Sequence, residues 1–276
     1  MGVVLALASA ACYGLVDFAG GLLSRRVHFA VVTLLGQLGG LFCAVAVALL
    51  VPAQSVRAAD LLWGALSGAG SAVAMHFLNR GLSRGAMSVV VPVSAVTGVA
   101  LSVVCGVLFL GDRPTLLAWF GICVTVPALW MVAGGGGTAP TGRLPADGLT
   151  ASVGVAVQYL GLAQAGPASG LWPVVAGRVA AVLLLLPSAR RYRADLRQPA
   201  GRLALAALTG AGAALGLILY LWATRRQLLA VAVVLASLYP AVPTVLGLVA
   251  LREKVTRTQA AGLAGAAVAV VLLSLG

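Results

Sequence analysis

Apolar residues run through this chain in stretches of about twenty, broken by short polar connections and without sustained alternation of apolar and polar positions. Each stretch is close to the ~20 residues that cross the hydrocarbon core of a bilayer as a helix. The pattern predicts ten such segments, at about 3–23, 29–51, 61–80, 86–110, 115–134, 148–165, 169–187, 203–223, 228–251 and 257–275. A transmembrane β-barrel needs alternating inward and outward positions, which these uniformly apolar runs lack. Met1 to Cys12, with Ala8-Ser9-Ala10, has some likeness to a signal-peptide core and cleavage site. It has no basic residue before it, and the run continues to Leu23, so a first membrane helix is expected there.

The segments fall into two sets of five. Asp112-Arg113-Pro114-Thr115 closes one apolar run and Glu253-Lys254-Val255-Thr256 closes another, 141 positions later. The same offset pairs Arg84 with Arg225, Ala95 with Ala236, Gly106 with Gly247 and Gly121 with Gly262. An internal duplication of hydrophobic segments is a recurrent mark of secondary transporters. Gly134 to Gly137 and the following Thr138-Ala139-Pro140-Thr141-Gly142 read as a flexible connection between the halves. The expected organisation is a first five-helix repeat over 1–134, a Gly/Pro-rich linker over 135–147 and a second repeat over 148–276.

Composition agrees with immersion in lipid: 61% of residues are hydrophobic and 9% charged, and no stretch is left over for a soluble catalytic domain. The net charge of +12 does not point to nucleic acid, because seventeen of the eighteen basic residues lie in connections or at helix ends. Thirteen of them (Arg25, Arg26, Arg80, Arg84, Arg143, Arg190, Arg191, Arg193, Arg197, Arg202, Arg252, Lys254 and Arg257) fall in the odd-numbered connections; four (Arg57, Arg113, Arg225 and Arg226) fall in the even-numbered ones. The positive-inside rule then puts both termini outside and the long charged connection from Pro187 to Arg202 in the cytoplasm, where it meets the membrane surface. Five is an odd number, so a second set of five must enter the membrane upside down. The basic bias switches between the halves as that inversion requires. The fold class expected is therefore an all-α integral membrane protein with ten transmembrane helices in two inverted five-helix repeats.

Tyr13-Gly14-Leu15-Val16-Asp17-Phe18, running through Gly20-Gly21 to Arg25-Arg26, resembles the opening of EamA-type carriers of the drug/metabolite transporter superfamily. Arg80-Gly81-Leu82-Ser83-Arg84-Gly85 followed by Val91-Pro92-Val93 resembles their third-to-fourth helix connection, and Leu238-Tyr239-Pro240-Ala241-Val242 ending in Arg252-Glu253-Lys254 resembles their ninth helix. The likeness spans the whole chain. One departure is that Val99, not proline, stands at the repeat position of Pro240. The resemblance implies a carrier with a central cavity, from a family spanning amino acids, sugars, nucleotides and drugs.

Chemistry has to come from polar groups within the membrane. Asp17 is the only acid well inside a hydrophobic segment and Arg178 the only base clearly in mid-helix. Each costs roughly 2.5–3.5 kcal/mol at the bilayer centre on insertion scales, so each should face the protein interior or a water-filled cavity. Either the two pair structurally across the repeats, or Asp17 binds a proton or a cationic group and Arg178 holds a carboxylate or serves as counter-ion. A second set lies on the third and fourth segments: His76 and Arg80 on one helix face with Asn79 beside them, then Ser94 and Thr97. Tyr13 in the first half, and Gln158, Tyr159, Tyr220, Trp222, Ser237 and Tyr239 in the second, complete the candidates for substrate binding or coupling. Serine and threonine can instead back-bond to their own helices, and Trp222 and Arg80 can instead anchor at the interface.

Gly36 with Gly40, Gly64 with Gly68, and Gly212 with Gly216 are small-residue pairs that let helices approach closely. Pro240 beside Tyr239 is a candidate hinge. Cys12, Cys43, Cys105 and Cys123 lack ligand spacing and read as small hydrophobes. The expected function is secondary transport of a small metabolite, amino-acid-like or another small organic solute and efflux included, across the cytoplasmic membrane by alternating access. The alternative is a lipid-handling or structural membrane protein, which leaves Asp17 and Arg178 unexplained; a membrane-embedded enzyme is weaker, with no HExxH motif, P-loop or paired acids in the membrane. No cofactor, metal or nucleic acid is expected. The partners implied are a small-molecule substrate, membrane lipids and protons as coupling ion, and a homodimer is compatible with the pattern.

Overall fold

A backbone immersed in lipid must satisfy its own N–H and C=O groups, and a helix does so within one segment. The computed structural model describes residues 1–85, 87–105, 107–108, 115–134, 143–224, 235–236 and 238–275, and among these it contains helix and no strand. The α-helices are α1 Gly2–Ser24, α2 Phe29–Leu50, α3 Ala58–Arg84, α4 Met87–Cys105, α5 Leu116–Gly134, α6 Arg143–Gln164, α7 Trp172–Arg191, α8 Ala200–Thr224, α9 Ala241–Val249 and α10 Arg257–Leu275. Short 3-10 turns cover Pro167–Ser169 and Arg193–Arg197. Five of the helices (α1, α2, α3, α7 and the Ala200–Tyr220 part of α8) are both long and apolar enough to cross a membrane. Phe42 and Leu50, each 80% exposed, and Leu62, 72% exposed, point outward from this helical body. Apolar surface of that kind is stable against lipid and not against water.

The duplicated motif that marks the repeat turns out to be a helix start. Thr115 Oγ1 accepts the Ala118 N–H at 3.4 Å, and Thr256 Oγ1 accepts the Gln259 N–H at 3.2 Å. The Gln259 side chain returns the bond to the Thr256 N–H at 3.0 Å, a capping box. Both threonines therefore cap the fifth helix of their half. Asp112, Arg113 and Pro114 lie outside the described residues, as do Gly106, Arg225, Arg226, Ser237 and residues 135–142 of the linker. The ninth segment, expected over 228–251, is described as a turn over 238–240 followed by α9, and α6 begins earlier than the expected start at 148. Pro240 accounts for the turn: it caps α9 and cannot donate back into a preceding helix.

Most helix contacts between the two halves come in pairs related by exchange of the halves. α3 packs on α6 and α1 on α8; α3 packs on α7 and α2 on α8; α4 packs on α6 and α1 on α9. Each of these pairs becomes the other when the first five helices and the last five trade places. α2 with α7, α4 with α9 and α5 with α10 are contacts between counterparts. Glycines make the closest of these approaches. A methyl at Gly68 would be driven into the Gly177 backbone, and one at Gly39 into the Ala207 carbonyl.

The connections gather at two ends. At one, Arg25 donates to the Leu82 carbonyl at 3.3 Å and the Gly85 carbonyl at 3.0 Å, and lies 3.5 Å from Glu253. His28 stacks on Tyr192 there, with ring centroids 3.3 Å apart, while its N–H donates to Asp195 at 2.7 Å. At the other end Gln54 and Ser55 donate to the Ala168 carbonyl, and buried Asp60 accepts from Ser169 Oγ, the Gly166 N–H and the Arg57 guanidinium. Among the described residues, the 1–2, 3–4, 7–8 and 9–10 connections thus meet at one end, and the 2–3 and 6–7 connections meet at the other.

Candidate functional site

α1 brings Tyr13 and Asp17 onto one face, four residues apart. Gly14, between them, lets the start of α9 come against α1: a methyl there would meet the Val242 side chain and lie 2.7 Å from the Tyr239 carbonyl. Tyr239, in the turn before α9, places its ring 6.1 Å from that of Tyr13 at an interplanar angle of 57°. Tyr13 is seated against α8, where a methyl at Gly216 would lie 3.0 Å from its ring. One turn earlier, Ser9 Oγ donates to the Gly216 carbonyl at 2.7 Å. Tyr159 approaches from α6 with 51% of its surface open, although Tyr13, Tyr239, Tyr220 and Asp17 all lie within electrostatic reach of it.

Asp17 sits among these phenols at 9% exposure. Every other described acid has a polar partner: Asp60 has Ser169, Asp147 has Arg80, Asp195 has the His28 N–H, and Glu253 has Arg25 and the Met87 N–H. Asp17 has neither a hydrogen bond nor an ion pair among the described residues. The expected alternative of an Asp17–Arg178 pair is not realised. Arg178 Nη1 donates instead to Gln37 Oε1 at 2.7 Å, and Gln37 Nε2 donates on to Ser71 Oγ at 3.3 Å. The reason is positional: α7 packs against α2, which carries Gln37, whereas α1 packs on α8 and α9.

The second expected set does not gather at one point. His76 is packed edge-on between Phe29 and Phe77, with centroids at 5.0 and 5.5 Å, and its buried Nδ1 has no hydrogen-bond partner among the described residues. Asn79, 4% exposed, donates to Thr33 Oγ1 at 3.0 Å. Arg80 turns to Asp147 at 3.4 Å and covers the Phe77 ring at 5.4 Å. Ser94 is buried on α4, and one turn on, Thr97 Oγ1 is buried without a partner among the described residues. Gln158 offers its backbone carbonyl to Ser67 Oγ at 2.8 Å. Trp222 is 53% exposed on α8, and Ser237 lies outside the described residues. The structure therefore brings together Tyr13, Asp17, Tyr159 and Tyr239, with Arg178 within electrostatic reach of Tyr13 and held by Gln37. Gln37 is the residue that sequence reasoning missed. It is uncharged and sits in an apolar run, but it stands at the repeat position of Arg178.

The sequence profile described as the EamA-like transporter family matches residues 1–134 and 151–275, one match in each half. No curated protein matches the chain. A solved structure titled only "Crystal structure of protein" is similar over 99% of this chain and 96% of its own, with a TM-score of 0.58 and 19% sequence identity, which is a likeness of fold.

Proposed function

The chain belongs to the EamA-like transporter family of multi-pass membrane proteins, and from that premise we propose that it is a secondary transporter moving a small organic solute across the cytoplasmic membrane by alternating access. Ten helices cross the bilayer as two inverted repeats, 1–134 and 148–276, joined by the linker over 135–147. The arginine-rich odd-numbered connections face the cytoplasm, as the positive-inside rule requires.

Asp17 carries the reading. An acid at mid-membrane depth is costly, and this one has no polar partner among the described residues and lies within electrostatic reach of Tyr13, Tyr159 and Tyr239. A carboxylate so placed suits a proton, or the ammonium group of an amino-acid-like solute, with Tyr13, Tyr159 and Tyr239 supplying hydroxyl groups and aromatic faces around it. Proton and solute would then compete for one site, which couples solute movement to the proton gradient without a second binding group. Purified protein in liposomes, offered labelled amino acids, amines and sugars with and without a proton gradient, tests this. Transport of an ammonium-bearing solute that responds to the gradient is expected, and Asp17→Asn should lower it by about 30-fold or more, the ~2 kcal/mol held in a charged hydrogen bond. An Asp17→Asn protein with unchanged rate and unchanged pH dependence sinks the assignment.

A further inference from the structure

Gln37 and Arg178 stand 141 positions apart, so the 2.7 Å bond between them joins a residue to its own repeat counterpart. Exchange of the halves carries each partner onto the other, and such a contact lies on the two-fold that relates the repeats. Its neighbours obey the same offset. Gly36 packs toward Thr209 on α8, and its counterpart Gly177 packs against Gly68, the counterpart of Thr209, on α3. At the ends, the Gln54 N–H donates to the Ala168 carbonyl, and Asp195, the counterpart of Gln54, accepts from His28, one residue beyond the counterpart of Ala168.

Inverted repeats switch access by moving one repeat against the other around a fixed site, and the two access states are related when the halves trade conformations. A contact between one residue and the counterpart of a second is then replaced by a contact between the second and the counterpart of the first. An off-axis contact is kept through the switch only where its image is already present, as with Gly36–Thr209 and Gly68–Gly177; every other off-axis contact changes. A contact between counterparts maps onto itself and survives. We propose that Gln37–Arg178 is the fixed joint of this transporter: a positioning pair that holds the middles of α2 and α7 together in both access states and does not touch the solute. The proposal rests on the transporter reading above.

The surroundings suit a joint. Gln37 is 2% exposed and makes its second bond to Ser71. Gly36, Gly39 and Gly40 strip side chains from α2 on either side of it, so the α8 backbone at Ala206, Ala207 and Gly210 lies against α2. Gly40 also leaves room for the guanidinium, whose Cζ would lie 3.3 Å from a methyl there. Gly177, next to Arg178, holds α7 on α3 in the same manner. Four helices thus meet around the pair. The neutrality of Gln37 fits as well. An Asp17–Arg178 ion pair would be off-axis, since the counterpart of Asp17 is Gln158. It would be replaced by a Gln37–Gln158 contact on each switch, leaving two charges bare in the membrane.

The test is to trade the two residues. Gln37→Arg combined with Arg178→Gln rebuilds the bond with its charge reflected through the axis. In liposomes, each single substitution should lower turnover at least tenfold and lower the thermal midpoint in detergent. The combined exchange should restore both, turnover to within about threefold, with KM for the transported solute unmoved throughout. Gln37→Glu, which replaces the bond with an ion pair at the same place, should also keep transport and guards against a single variant that does not fold. An exchange variant that regains its midpoint but shows a raised KM or no transport overturns the proposal, because Arg178 then acts on the solute from its own side. Normal turnover in Gln37→Arg alone or in Arg178→Gln alone overturns it too. A wild-type protein that transports nothing, yet shows the restored midpoint on exchange, fails the transporter reading and leaves the axial bond standing without its role as a joint.

Discussion

Asp60 offers a sharp test of what holds the even-numbered connections together. Its side chain is 2% exposed and accepts from Ser169 Oγ at 2.6 Å, the Gly166 N–H at 2.9 Å and Arg57 Nε at 3.1 Å. Arg57 is the obvious partner by charge, yet its side chain is 66% exposed. Exposed ion pairs contribute ~0–1 kcal/mol, so the anchoring comes from the buried Ser169 hydroxyl and the Gly166 N–H on the α6–α7 connection. Asp60→Ala leaves Ser169, which is fully buried, and the Gly166 N–H without that acceptor. Leaving donors without their acceptor costs about 1–3 kcal/mol. For a chain of this size a change of 1 kcal/mol moves the thermal midpoint by roughly 2–4 °C, so a fall of about 2–12 °C is expected. Arg57→Ala should shift it by about 4 °C at most, on the order of 1 kcal/mol. Thermal unfolding of detergent-purified protein, followed by a thiol-reactive dye that reports exposure of the four free cysteines, reads both. Equal losses in the two variants, or a larger loss in Arg57→Ala, would refute the reasoning.

Gly68→Val drives a branched side chain into the Gly177 backbone and should cost ~3 kcal/mol or more, seen as loss of monodisperse protein on gel filtration; Gly201→Ala meets nothing within 4 Å and should be neutral or stabilising by ~0.5 kcal/mol. His28 caps α2 by accepting the Ala30 N–H on Nδ1, and burial holds its imidazole below the usual histidine range, with Arg84 adding to the effect and Asp195 opposing it. A lowered folded value means that the cap is fully present above the ordinary value of about 6.5 and is lost as pH falls through the folded one. The thermal midpoint should therefore drop between pH 7 and pH 5, and His28→Asn, a cap that does not titrate, should flatten that drop; an unchanged slope counts against it. A reporter active only in the cytoplasm should be silent at the C-terminus and active in the Tyr192–Gln198 connection, and the reverse result would overturn the orientation.

Helical class and the two halves were legible in the sequence because both rest on spacing, and spacing survives folding. Apolar runs of membrane length name helices, and the matched Thr115 and Thr256 proved to be caps at equivalent places. Side-chain partners were less legible. Asp17 and Arg178 stood out by charge, and charge alone suggests joining them, but a helix pairs with whatever its packing neighbour presents. α7 packs on α2, so Arg178 meets Gln37. His76, Asn79 and Arg80 looked like one group because they share a stretch of α3, yet His76 and Asn79 turn to Phe29 and Thr33 on α2 while Arg80 turns to Asp147 on α6. The missing step was already contained in the repeat. In a two-fold arrangement of duplicated helices, the second helix of each half meets its counterpart, so the residue 141 positions before an intramembrane arginine is the first place to look for its partner. Glutamine there is both the least conspicuous choice and the fitting one: a carboxylate on the axis would also satisfy the arginine, but wherever packing drew it off the axis it would leave an unpaired charge in the membrane, and an amide leaves none.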